Sequence, residues 1–328
     1  VLVPSVDTWT GGRVKEFENT NNVCIKYLKT LPFERGVAYE RILSQVVFAL
    51  SLVFHLIINK LKYRKAIFVL NTNPYIVYLF IGSLMKIFRI SYILDVRDVF
   101  FYRYEPNTAK YWFFSSVDKF IASFSLGAVF VTKSMQLAYE YSNDNCIVAP
   151  LSFDTMKGKK IVKGSFIPAQ SKIVYIGSIN SSYSIETLEQ LLENEDFQGS
   201  VSYLGNDIAK ISSKLVVKVG VVNKNSLNNI LKTYDVGFIG SQKSRASSIV
   251  LGNKVFDYLS AGLPIIYDVG SDSEIASFVN KFACGINFSD VDWSSTRNVF
   301  FEIDYGLLQI YNPDQIIYDL SEFFKKCS

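Results

Sequence analysis

The sequence carries one histidine, His55, in 328 residues, and its four cysteines (Cys24, Cys146, Cys284 and Cys327) show no C-x-x-C spacing. These shortages weigh against zinc sites, which need Cys and His at short spacings, and against Cys–His nucleophile pairs. His55 lies in an apolar stretch, where an imidazole is more often a core or interface residue than a base. Unclustered thiols suit a reducing compartment, and the first residues do not read as a signal peptide. No G-x-G-x-x-G follows a strand, which disfavours a nicotinamide cofactor. Charged residues make up only 20% of the chain. The basic ones are scattered and carry no nucleic-acid module signature, so no nucleic-acid partner is expected.

Apolar and aromatic residues are abundant. Hydrophobic content is 49%, and 26 Phe and 20 Tyr bring the aromatics to 15%. That excess asks for more than core filling, such as a membrane surface or a ring-stacking ligand. The net charge of +4 divides unevenly, +6 over residues 1–150 and −2 over 151–328. A basic, aromatic first half points to an anionic partner, either a membrane surface or a phosphorylated substrate.

The length suits two domains of about 150 residues each. In the first half, apolar runs of strand length (AIFVLN, SYILDV, GAVFVT) alternate with helical stretches such as IVYLFIGSLMKIF. Continuous apolar strands separated by helices predict a parallel sheet covered on both faces. Lys, Gly, Ser and Pro dominate residues 153–170, which read as an interdomain linker. The alternation then restarts with SKIVYIGSI, VSYLGND, LVVKVGVV, DVGFIG and LPIIYDV as strands. The expected domains are 1–152, 171–311 and a terminal helix over 312–328 that packs back on the first domain. That helix has Asn312 as N-cap, Pro313 at its first position and Gln315 completing a capping box.

NKVFDYLSAGLPII (Asn253 to Ile266) carries the most information. Val255, Phe256 and Leu259 share one helical face, and Lys254, Asp257, Tyr258 and Ala261 another. Gly262 stops the helix, and Pro264 prevents its continuation. Lys254 and Asp257 are thereby offered near the helix start, beside the crevice where doubly wound sheets bind ligands. A surface ion pair would give the same pattern.

This stretch resembles the K-x-x-E-Y-x-A-x-G-x-P-V-I segment of the family-4 retaining glycosyltransferases. IVYIGSI, VSYLGND and VKVGVVNKNSLNNILKTYDVGFIG resemble the strands and turns around it. FVLNTNP, YILDVRDVF and AVFVTKSM resemble the family's N-terminal strands more weakly. The resemblance implies the GT-B architecture: two Rossmann-like, doubly wound parallel-sheet domains facing across a cleft. It implies an acceptor-binding first domain and a second that binds a nucleotide-diphosphate sugar, UDP- or GDP-linked. Gly220, Val221 and Val222 would border the base, Asp257 would hold the ribose, and Gly177, Ser178 and Gly205 would lie near the diphosphate. Backbone N–H groups at a glycine turn approach anionic oxygens readily.

The match departs from the family in two places. Ile249 stands at the first position of the E-x7-E pair, with Asp257 at the second. The cations usual after the glycine turn are missing, and Lys243, Arg245 and Lys254 are the substitutes. In the first domain, Asp95, Arg97 and Asp98 follow a strand where site residues belong. Asp98 would orient or deprotonate the acceptor hydroxyl, and Arg97 would hold a phosphate or carboxylate. Gly11, Gly12 and Arg13 form a turn expected to face diphosphate and acceptor. No metal and no cofactor besides the sugar nucleotide is expected.

The helical stretch from Ile42 to Leu61 is apolar and long enough to span a bilayer, but its polar residues favour a buried or interfacial helix. VFFYRYEPNTAKYWFF mixes aromatic rings with cations, as a headgroup layer or a lipid-linked acceptor would require. These features together predict a cytoplasmic transferase on the inner membrane face. It would add sugars with retention to a lipid-linked or glycan acceptor in cell-surface polysaccharide synthesis. A nucleotide-sugar 2-epimerase of the same fold, or a non-catalytic relative, would satisfy the same motifs.

Overall fold

The computed structural model describes residues 2–4, 26–28, 30–33, 38–59, 66–141, 144–151, 161–179, 184–241 and 244–327. The chain divides into two units. Unit 1 gathers Val1–Phe130, Met135–Val148 and Phe323–Ser328, and unit 2 gathers Val131–Ser134 and Ala149–Glu322.

Unit 1 runs β1 (Leu2–Pro4), β2 (Lys26–Leu28), α1 (Ala38–Ile58), β3 (Phe68–Asn71), α2 (Tyr75–Ile87), β4 (Tyr92–Val96), α3 (Ala109–Ala122), β5 (Gly127–Phe130), α4 (Lys133–Tyr139) and β6 (Cys146–Val148). Strands β3-β4-β5-β6 form a parallel sheet in that order, and β1 pairs with β2. Tyr92, Ile93, Leu94 and Val96 of β4 and all of β5 are buried, as expected of strands covered on both faces. Helix α1 packs on α2, and α2 on α3, so the three lie side by side. Thr108 caps α3 by accepting a bond from the Tyr111 amide.

Unit 2 runs β7 (Ile161–Phe166), β8 (Lys172–Ile176), α5 (Glu186–Leu191), β9 (Ser200–Leu204), β10 (Val217–Lys218), α6 (Lys224–Leu231), β11 (Val236–Gly240), α7 (Arg245–Ser248), α8 (Asn253–Ala261), β12 (Ile265–Asp268), α9 (Glu274–Lys281), β13 (Gly285–Asn287), β14 (Val299–Asp304) and α10 (Pro313–Cys327), whose last residues, from Phe323, belong to unit 1. Its parallel sheet has the order β10-β9-β8-β11-β12-β13. Both predicted parallel α/β sheets are therefore present.

Three local readings differ from the structure. Part of the expected linker is strand β7, which pairs antiparallel with β14 and stacks Phe166 on Phe301 at 5.9 Å. Its Lys and Gly content suggests a coil, and its partner lies too far along the chain for a local reading to supply. The run LVVKVGVV holds only the two-residue β10, because β10 is the sheet edge and Gly220, at φ 88°, turns the chain. Tyr258 does not share an open face with Lys254 and Asp257. It is fully buried, and its hydroxyl accepts from the Ile176 amide (3.1 Å) and lies 3.1 and 3.0 Å from the Val174 and Phe238 carbonyls.

Candidate functional site

The strand order of unit 2 reverses between β8 and β11. Chain order runs outward from β8 through β9 to β10 on one side, and from β11 through β12 to β13 on the other. Ligands of open α/β sheets bind beyond the carboxyl ends of the strands at such a switch point. Gly177 and Ser178 follow β8, and Ser241 follows β11.

Gly177 adopts φ 98°, a conformation that favours glycine. Two tyrosines hold its turn. The Tyr175 hydroxyl donates to the Ser178 carbonyl (2.8 Å), and the Tyr203 hydroxyl donates to the Gly177 carbonyl (2.8 Å). The Asp207 amide donates to Tyr203 Oη at 3.1 Å, while Asp207 Oδ2 accepts from the Ile179 amide. Gly205 fits beneath this arrangement only because it lacks a side chain. A Cβ there would lie 2.2 Å from Tyr203 Oη and 2.3 Å from the Gly177 carbonyl oxygen. Gly205 thus supports the turn from below. The motif Tyr-x-Gly occurs at the ends of both β8 and β9, and that repetition is the sequence signal for Tyr175 and Tyr203.

Lys254 rises from the first turn of α8 across this turn. A Cβ at Gly177 would meet its Cε at 2.9 Å. Its Nζ donates to the Tyr175 hydroxyl at 2.7 Å and lies 3.9 Å from that ring's centre. Burial lowers the amine's pKa to about 7. Asp257, one turn further along α8, is half-buried. Burial raises its pKa, and the positive charge of Lys224 pulls it the other way. Asn223 caps the helix that carries Lys224. Just before it, Gly220 has open space around its Cα, Val221 is 76% exposed, and Val222 packs against the core. Helix α6 packs on α8, so this loop and Asp257 belong to one corner of unit 2.

Arg245 lies apart from Lys254, beyond β11 and β12. It lines a cavity of about 200 Å³ with Ser241, Ser244, Gly270, Asp272 and Ser273. Ser244 and Ser247 form a reciprocal capping box that fixes the Arg245 turn. Gly11, Gly12, Arg13 and Lys243 lie outside the described residues. Asp290 and Asp292 form an Asp-x-Asp pair, and Asp292 Oδ1 accepts from the Ser294 amide (3.1 Å) and hydroxyl (2.7 Å).

Unit 1 has its own cavity, of about 650 Å³, beyond the carboxyl end of β3. Of the three expected catalytic residues only Asp98 lines it, paired with Arg103. Arg97 Nε instead lies 2.7 Å from Asp95 Oδ1, and Asp95 Oδ2 accepts from Asn71 Nδ2 at 2.9 Å. Asp95 therefore holds Arg97 in place. An aromatic wall completes the cavity. Tyr75 stacks on Phe100 at 4.0 Å, and Phe114 meets Phe100 edge-on at 5.0 Å. Behind that wall, Asp118 is buried and accepts from the Tyr75 hydroxyl at 2.9 Å. Burial raises the Asp118 pKa to about 7, partly offset by hydrogen bonds from Tyr75 and Tyr78. Sequence reasoning missed Tyr75, Asp118 and Arg41, which share no local motif, whereas Arg103 lies in the aromatic and basic stretch from Val99 to Phe114.

No protein-family profile matches the chain, and no curated protein matches it by sequence. Solved structures do resemble it. Sucrose-phosphate synthase from Thermosynechococcus elongatus is 13% identical, with a TM-score of 0.66 over 99% of this chain and 88% of that one. Anabaena HepE, solved in complex with UDP and glucose, is 11% identical, with a TM-score of 0.56 over 92% of this chain and 86% of its own. The lipopolysaccharide outer core galactosyltransferase WaaB, in its apo form, is 10% identical, with a TM-score of 0.51 over 92% and 84%. At such identities the likeness is one of fold, and the fold is that of the GT-B glycosyltransferases, as the resemblance of the Asn253–Ile266 segment implied.

Proposed function

We propose that this chain is a retaining glycosyltransferase that takes its sugar from a nucleotide diphosphate, UDP- or GDP-linked. The observation that carries the reading is the switch-point constellation of unit 2. There a left-handed glycine turn, a half-buried lysine and a half-buried carboxylate stand together in a GT-B fold. HepE, solved with UDP and glucose, favours uridine.

In this reading Ser178 of the glycine turn and Lys254 face the diphosphate, the Gly177 amide being taken by the Leu204 carbonyl (2.9 Å). Arg245 adds a cation from the separate cavity beyond β11 and β12, Gly220–Val222 border the base, and Asp257 holds the ribose hydroxyls. The acceptor occupies the unit 1 cavity. Asp98 orients its hydroxyl, and Arg41 and Arg103, which line the same cavity, face its anionic group, while Arg97, held by Asp95, lies outside the cavity lining. The acceptor oxygen bonds to the anomeric carbon on the face that the diphosphate leaves. The carbon–oxygen bond to phosphate breaks, and the acceptor's proton passes to the departing diphosphate. Cations around that diphosphate stabilise its growing charge. The acceptor is lipid-linked or a glycan, and the enzyme works in the cytoplasm against the inner membrane face in cell-surface polysaccharide synthesis. WaaB, a lipopolysaccharide galactosyltransferase of similar fold, supports that setting.

A thermal-shift panel of UDP, GDP and ADP tests the donor assignment. Saturating UDP is expected to raise Tm by several degrees through linkage. Asp257→Ala is expected to weaken UDP binding about tenfold while leaving the unliganded Tm within a few degrees. No response to any of the three nucleotides would overturn the transferase reading.

A further inference from the structure

Helices α1, α2 and α3 present large apolar side chains outward. Leu50 and Phe54 of α1, Phe80 and Ile87 of α2, and Trp112 and Phe120 of α3 are all exposed, Phe54 and Ile87 at 67% and Trp112 at 62%. Helix α1 buries one stripe, which includes Phe48, Ala49 and Leu56, and leaves a second apolar stripe open. A helix that is apolar on both sides requires cover on both. Tyr39–Ile58 is long and apolar enough to cross a membrane, with a third of it buried within the protein.

Several polar groups on α1 and at its end have partners within the protein. Ser44 bonds to Leu31 and Thr30, Ser51 Oγ donates to the Val47 carbonyl at 2.8 Å, and Asn59 Nδ2 donates to the His55 carbonyl at 2.8 Å. A protein partner ordinarily contributes hydrogen bonds at a polar rim, whereas hydrocarbon offers none and asks for none. Charge points the same way. Arg41, Lys86 and Lys110 lie on these helices, Lys119 is paired with Glu140 at 2.6 Å, Asp118 is buried and Glu40 is half-buried. Lys86 Nζ lies 3.2 Å from the Phe120 ring centre and 4.1 Å from that of Phe124, so a cation sits among exposed rings.

We infer that the outward face of α1, α2 and α3 lies in the interfacial layer of an anionic lipid bilayer, with α1 parallel to its plane. Apolar side chains on the face enter the acyl boundary, and the lysines meet the headgroups. The inference deepens the peripheral-membrane reading above and rests on it.

Vesicle co-sedimentation of the full chain tests it, using phosphatidylcholine alone and phosphatidylcholine mixed with phosphatidylglycerol. Binding is expected on the mixed vesicles, weaker on phosphatidylcholine and weaker with added salt. Leu50→Glu and Phe54→Glu are each expected to lower the bound fraction about tenfold or more. Because both side chains point outward, circular dichroism and the response to UDP should not change. Binding that survives both substitutions would overturn this face while leaving peripheral attachment standing. No binding to either vesicle would overturn the face and the attachment together, with donor recognition still judged by UDP. A soluble dimer that Phe54→Glu dissociates, without vesicle binding, would assign the face to a second copy of the chain and overturn the inference.

Discussion

Lys254 is held half-buried by the same geometry that aims it at the glycine turn. With its pKa lowered to about 7, the amine is partly neutral at physiological pH. A diphosphate beside it would favour the charged form and draw in a proton. UDP binding at pH 7.5 is therefore expected to take up roughly half a proton to one proton. Calorimetry in buffers of different ionisation enthalpy would register it, and Lys254→Met should abolish it. Uptake that persists in Lys254→Met would place the phosphates elsewhere. Asp118 has the opposite sense, a carboxyl with its pKa raised to about 7 by burial. Between its ordinary value and about 7 it is protonated when folded and ionised when unfolded. Its stabilising contribution is thus full below about pH 4 and is lost as pH rises through about 7. Asp118→Asn should remove that slope. Relative to the variant, the wild type is expected to lose up to about 4 kcal/mol between pH 4 and pH 8 in urea melts. Parallel pH profiles for the two proteins would mean that Asp118 is not the titrating group.

At the scale of elements, α8 is the joint of unit 2. Its Tyr258 hydroxyl ties together the backbones of β8 and β11, and Gly237 of β11 leaves room for the ring. A Cβ at Gly237 would lie 2.4 to 2.6 Å from the ring carbons. Gly237→Ala must displace the ring and release buried backbone groups, so a loss of about 3 kcal/mol or more is expected in chemical denaturation. A loss below about 1 kcal/mol would show that the ring can relocate. Element types were largely legible in the sequence. Buried parallel strands are continuous apolar runs, and the stop of α8 is written in Gly262 and Pro264. The partner of β7 and the fate of Tyr258 were not, because both depend on segments distant in the chain. Helical spacing places Tyr258 with Lys254, but the hydroxyl finds three backbone partners inside the sheet. The candidate site was half legible. Gly177, Gly220, Lys254 and Asp257 follow from turn chemistry and resemblance, whereas the pairing of Arg97 with Asp95 and the cavity wall of Tyr75, Phe100 and Phe114 arise only on folding.

At the scale of the whole molecule, the two halves differ in character. The first half carries the positive charge and the outward apolar face, and the second carries the slight negative charge and the switch-point site. This division explains why composition alone suggested an anionic partner for one half only. It also predicts that salt should act on vesicle attachment, through a screened surface field, more than on a buried contact such as Lys254.

The open stripe of α1 also bears on synthesis. Roughly 200 residues separate Ile58 from β12. At a usual elongation rate of about 5–20 residues per second, α1 is made about 10 to 40 seconds before β12. During that interval its apolar side chains are already available, while the six-stranded sheet of unit 2 is still incomplete. On the membrane inference above, a nascent chain in that condition would reach lipid, or a chaperone, before it could bind a nucleotide. Membrane attachment would then be the first event in the life of the molecule, and the order of its segments along the chain sets that sequence.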